Sequence, residues 1–127
     1  MEQRQLQFLY KTLDDFRHEN GVEFWYASEL FPVLGYSRLE NFEQVINRAK
    51  EACKTSGGRV EDHFLDVQKM VKIGSGAERS VADIKLTRYA CYLIAINGSP
   101  SKPEIAFAQA YFVTQTRKMD IYIIHPI

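Results

Sequence analysis

Two groups of side chains in this sequence have the types and spacing to do chemistry. The first is Asp62-His63-Phe64-Leu65-Asp66, one imidazole between two carboxylates, a set that could serve a metal ion or acid–base catalysis. A solvated helix start with an acidic first turn explains the same residues. His18 and His125 lie far off and have no partner at metal-ligand spacing. Cys53 and His63 can be drawn as nucleophile and base, but Cys53 falls on an apolar helical stripe, where a buried thiol is inert. Gly74-Ser75-Gly76 lacks the third glycine and the Lys-Ser/Thr ending of a phosphate loop. The residues therefore offer no catalytic set, no metal set and no cofactor motif, and the expectation is a protein that is not an enzyme.

The second group is cationic. Net charge is zero, sixteen basic against sixteen acidic residues, which argues against a uniformly basic nucleic-acid coat. The distribution is uneven: residues 1–47 hold four basic and eight acidic side chains, and residues 48–127 hold twelve and eight. Lys69, Lys72, Arg79, Lys85 and Arg88 gather on and just after an expected β-hairpin, with Arg79 at its tip. A basic two-stranded ribbon can lie along a phosphate backbone, each cation a sequence-independent anchor. A solvated sheet edge guarded by lysine reads the same way.

Arg38, Asn41 and Gln44 form a weaker candidate. They open a helix that follows a short helix and a glycine turn, the proportions of a helix-turn-helix. Glu40 and Glu43 on that helix would face phosphates and weaken the case. Tyr89, Tyr92, Tyr111 and Phe112 are conceivable base-stacking groups, though they sit in apolar helices and read mainly as core.

The elements that position these residues follow from periodicity. Apolar residues at 6, 9, 13 and 16 predict a helix ending at Asn20-Gly21. VEFWYA reads as a strand, and Ser28 as the cap of a short helix with Pro32 in its first turns and Gly35 at its end. Ser37 and Glu40 suggest a capping box ahead of the stripe Phe42, Val45, Ile46, Ala49 and Cys53. Asp62 to Val67 reads as a helical turn, KMVKI and SVADIKL as the two arms of the hairpin, and GSGAER as its tip. Thr87 caps the apolar helix RYACYLIAI, and Pro103 opens the last helix, PEIAFAQAYFVTQTRK. The sum is one compact α+β domain of about five helices, a short strand and a hairpin.

A length of 127 residues, 46% of them hydrophobic, suits one core without disulfides. Cys53 and Cys91 are expected to be reduced, partly buried thiols. No apolar run approaches the roughly 20 residues of a spanning helix. The N-terminal run lacks the order of a secretory signal, and the chain reads as cytoplasmic.

The runs LGYSRLENFEQVINRAKEACKTSG and DHFLDVQKMVKIGSGAERSVADIKLTRYACYLIAINGSPSKPEIAFAQAYFVTQTR resemble the bacterial DNA-damage-inducible protein D family. The N-terminal part of that family belongs to the Bro-N group, shared with baculovirus repeated-ORF proteins and phage antirepressors. The similarity spans about Val22 to Arg117. It implies a non-enzymatic domain induced with the SOS response, associated with DNA, single-stranded before duplex, or with RecA-coated filaments. It implies no cofactor and no catalytic residues. The expected organisation is an N-terminal helix at 1–21, the Bro-N-like domain at 22–119, and a short apolar tail at 120–127. The tail departs from the family's continuation into a second region, marks a candidate truncation point, and is a candidate surface for homodimer contact.

Overall fold

The computed structural model describes residues 3–124, with side chains through residue 113. The elements are α1 (Gln3–Asp15), β1 (His18–Glu19), β2 (Glu23–Tyr26), α2 (Ala27–Val33), α3 (Leu39–Thr55), α4 (Val60–His63), β3 (Phe64–Lys72), β4 (Glu78–Leu86), α5 (Arg88–Ile96) and α6 (Pro103–Ile124). The α+β class stands, with six helices and a four-stranded antiparallel sheet among the described residues rather than five helices, one strand and a hairpin. No helix among the described residues is long and apolar enough to cross a membrane.

Several local expectations need correction. The first helix stops at Asp15, because His18 and Glu19 pair with Phe24 and Glu23 as an extra strand. Helix α2 begins at Ala27 with Tyr26 at its cap, so Ser28 is inside it, and Pro32 is the sixth of its seven residues, in the last turn rather than the first. The Ser37–Glu40 capping box does not form: α3 starts at Leu39 and its capping residue, Arg38, contributes no side-chain hydrogen bond. The expected turn at Asp62 to Val67 lies earlier, at Val60–His63, and Phe64 onward is already strand. The backbone of residues 120–124 continues α6. The expectation of dimer contact there falls on side chains outside those described.

Other expectations hold for local reasons. Thr87 caps α5 by accepting from the Ala90 N–H. Gly35 ends α2 at φ +86°. Its N–H reaches the Pro32 carbonyl and the Tyr36 N–H reaches that of Phe31, the paired bonds of a Schellman stop. Gly57, at φ +92°, closes α3 the same way, with Gly58 donating to Cys53 at 2.8 Å. Substitution of either glycine would put a Cβ where L residues are strained.

The sheet runs β1-β2-β4-β3, and only Trp25 and Tyr26 of β2 pair with β4, opposite Leu86 and Lys85. The β3–β4 hairpin is in register over nine pairs from Phe64↔Leu86 to Lys72↔Glu78, so it outruns the sheet as a ribbon. Strand alternation assigns the faces. Trp25, Leu86 and Phe64 share the inner face and are buried against the helices. The α3 stripe Phe42, Val45, Ile46, Ala49 and Cys53 joins them, with Ile94 of α5 and Ile105 and Phe112 of α6. Both cysteines are buried and free, and burial pushes both thiols above their ordinary values.

Candidate nucleic-acid interface

The hairpin emerges from the core because its two ends differ in what they can bury. At the base, Phe64 and Leu86 are apolar and enclosed, whereas every residue from Lys72 to Ser80 is exposed. The five-residue connection holds Gly74, Ser75 and Gly76. Arg79 lies inside β4 opposite Val71 rather than at the tip.

The six candidate cations separate by what they touch. Lys72, Arg79 and Lys85 take part in no ion pair among the described residues. Lys72 and Arg79 are exposed, and Lys85 is half-buried over the Phe24 ring, its Nζ 4.6 Å from the centroid. Lys69 is engaged: its Nζ is 3.4 Å from Asp83 Oδ2 and 3.9 Å from the Tyr26 ring centroid. Arg38 is exposed and reaches Glu40 at 3.6 Å, a weak surface pair.

Arg88 is a correction. Its side chain is 9% exposed, is ion-paired to Glu23, and lies within 5.8 Å of the ring centroids of Trp25, Tyr111 and Phe112. Little of it is presented to solvent. It joins α5 to β2, and Glu23 also receives Arg17, so one carboxylate carries two guanidiniums. Burial alone would push the Glu23 carboxyl up, but the hydrogen bonds from Arg88 and Arg17 outweigh it and hold the group below its ordinary value.

The remaining candidates are dispersed. His63 is held by Thr87, Nδ1 to Oγ1 at 2.8 Å, Asp62 faces Arg59, and Asp66 is out on β3, so the three do not converge. Among the described residues no three His, Cys, Asp or Glu side chains gather as a metal site. Helices α2 and α3 do form a glycine-jointed pair with Arg38, Asn41 and Gln44 exposed, but Glu40 and Glu43 are exposed beside them. Leu39, Glu43 and Ile46 also border a 450 Å³ groove whose far wall is Asp66, Gln68, Ala82 and Ile84 of the hairpin. Tyr111 and Phe112 are core, and Tyr89 and Tyr92 are half-buried against it.

Against known proteins, the model of the BRO family N-terminal domain, Bro-N, matches residues 15–113. The chain belongs to this family. The Bro-N match runs from the end of α1 into α6 and holds all six candidate cations. DNA damage-inducible protein D of Escherichia coli (strain K12) is 52% identical over 102 residues, covering 80% of this chain and 37% of that protein. The chain thus spans little more than a third of the length of this relative. No solved structure matches it.

The residues that sequence reasoning missed lie on the outer face of the Bro-N sheet. Phe24 and Tyr26 flank Trp25 in β2, so with Trp25 inward they point outward, beside Lys85. His18, opposite Phe24 in β1, completes the group. The signal was present in the alternation of Glu23-Phe24-Trp25-Tyr26, which assigns the outer aromatics once the inward residue is known.

Proposed function

We propose that this Bro-N chain is a non-enzymatic module of the DNA-damage response, acting in the cytoplasm. In this reading it binds single-stranded DNA, or the RecA-coated filament formed on it, through the hairpin cations that make no ion pair. The observation that carries the reading is the set Lys72, Arg79 and Lys85, none of them in an ion pair among the described residues: Lys72 and Arg79 are exposed on the ribbon that outruns the sheet, and Lys85 is half-buried at its base, opposite Tyr26. Lys85 and Arg79 are on the same face of β4, six residues and so about 20 Å apart, enough to follow a backbone over several nucleotides. The name of the E. coli relative supports the damage-response role.

Filter-binding titration against single strand, duplex and RecA filament at several salt concentrations tests it. Single-strand affinity should fall with salt, and the triple change Lys72→Ala, Arg79→Ala and Lys85→Ala should flatten the log–log slope by about 2, at about 0.7 per lost phosphate contact. Absence of binding at low salt to any of the three, or a slope indifferent to the substitutions, overturns the proposal.

A second reading is a protein contact without DNA. Met70 and Ile73 are exposed near the end of the ribbon, apolar groups of the kind that mark partner surfaces. Capture of RecA filament that the triple variant retains in full, with no binding to the bare strand, would select this reading.

A further inference from the structure

On the outer face of the sheet, at its junction with the hairpin, lies a cluster that the hairpin's cations do not explain. The His18 and Phe24 rings stack, centroids 5.2 Å apart and 16° between planes. Tyr26 meets both edge-on, at 5.0 Å from His18 and 5.3 Å from Phe24. Lys85 and Lys69 sit over Phe24 and Tyr26. Leu65, the register partner of Lys85, is exposed on the same face. The three rings are half-buried, and Trp25 between Phe24 and Tyr26 is fully buried on the other side. Three aromatic groups thus stand on the solvent side of a sheet, in contact with one another and with two lysines.

We propose that this face is a stacking platform for unpaired nucleobases, with Phe24 and Tyr26 receiving the bases and Lys85 the phosphate between them. The proposal rests on the reading of the chain as a single-strand binder and adds the part of the strand that is recognised. The lysines now on the rings hold places that bases would take. A surface cation–π contact is worth about 0.5–1 kcal/mol, whereas a stacked base contributes about 1–3 kcal/mol. The exchange lets the ammonium swing from ring to phosphate without losing a charge partner. The two carboxylates bordering the face are already engaged, Glu29 by His18 at 2.8 Å and Asp83 by Lys69 and Ser28, whereas Lys85 has no carboxylate partner among the described residues. Cations interleaved with flat rings match a strand that offers phosphates and π-faces together. A duplex hides its π-faces inside its own stack and gains only the cations.

Fluorescence anisotropy with a thymidine oligonucleotide of about ten residues, an abasic strand of equal length and a duplex tests this. The wild-type chain should bind the thymidine strand about tenfold more tightly than the abasic one. The double change Phe24→Leu and Tyr26→Leu should remove that preference while leaving affinity for the abasic strand and duplex, and the salt slope, unchanged. Phe24→Leu alone, with circular dichroism beside it, gives a half-sized loss in a chain that keeps an apolar residue in β2. Equal wild-type binding to the thymidine and abasic strands, with the salt slope intact, overturns the platform and leaves the hairpin reading standing. Equal weakening of all three ligands by the variants overturns it as well. Failure of the wild-type chain to bind any strand overturns the platform together with the single-strand form of the hairpin reading.

Discussion

Glu23→Ala is expected to destabilise the fold by about 3–5 kcal/mol, the cost of leaving a buried cation without its counter-charge. Arg88 is enclosed by Trp25, Tyr111 and Phe112, and Glu23 is the carboxylate it pairs with. Removal of the acid leaves a guanidinium that water reaches poorly, and also releases Arg17 from the surface side of the same carboxylate. Urea unfolding measures the loss. A companion variant separates charge from packing: Arg88→Met in the Glu23→Ala background should recover much of the stability, because an apolar side chain tolerates the cage that an orphaned cation does not. A loss below about 1 kcal/mol in the single variant would mean that the pair is solvated and weak.

The same carboxylate gives the fold a pH dependence with a definite sign. Its folded pKa lies below the ordinary value of 4.5, so the stability it supplies is complete above that value and is lost as pH falls through the depressed one. Glu23→Gln, which cannot titrate, should flatten this part of the acid limb of a stability–pH curve while lowering the plateau near neutrality.

Asp83→Asn should trade stability for strand affinity. The Asp83 side chain, 3% exposed, accepts from Ile84 N at 2.8 Å, from Ser28 N at 3.1 Å, from Ser28 Oγ and from Lys69 Nζ. It thereby ties the first turn of α2 to both strands of the hairpin. An amide of the same shape must turn an NH2 toward one of these donors, a mismatch that costs about 2 kcal/mol. Lys69 is then released, and the single-strand salt slope should steepen by about 0.7, one further phosphate contact. Denaturation together with the binding titration reads both effects. Lower stability with an unchanged slope would place Lys69 off the path of the strand.

What was legible in the sequence depended on how far away the deciding partner lies. Thr87 was identified as a cap because its partner, Ala90, is three residues on, and the α3 stripe was legible because a helix repeats its buried positions locally. Ser28 looked like a cap by the same local logic, but Asp83, 55 positions later, takes its hydroxyl. Ser37 and Glu40 had the spacing of a capping box, yet the chain stays extended through Arg38 and the helix opens one residue too late for it. Arg88 shows the limit most plainly. Next to a cap at a helix start it resembles a surface cation, and only its pairing with Glu23, 65 positions earlier, turns it inward. For the candidate site, the hairpin and its lysines were readable from alternation. Which lysines are already spoken for was not, because that is decided by the aromatic and acidic residues that β2 and β4 bring alongside.

The way the ribbon outruns the sheet separates two kinds of selection on this chain. Residues 72–80 are exposed and enclose no part of the core, so exchange, insertion or loss of a charge there is close to neutral for folding. The base of the same two strands, fixed by Phe64, Leu86 and Trp25, has no such freedom. If the hairpin binds as proposed, a lineage can retarget its tip toward a different ligand without renegotiating the core, and relatives sharing this scaffold need not share a ligand.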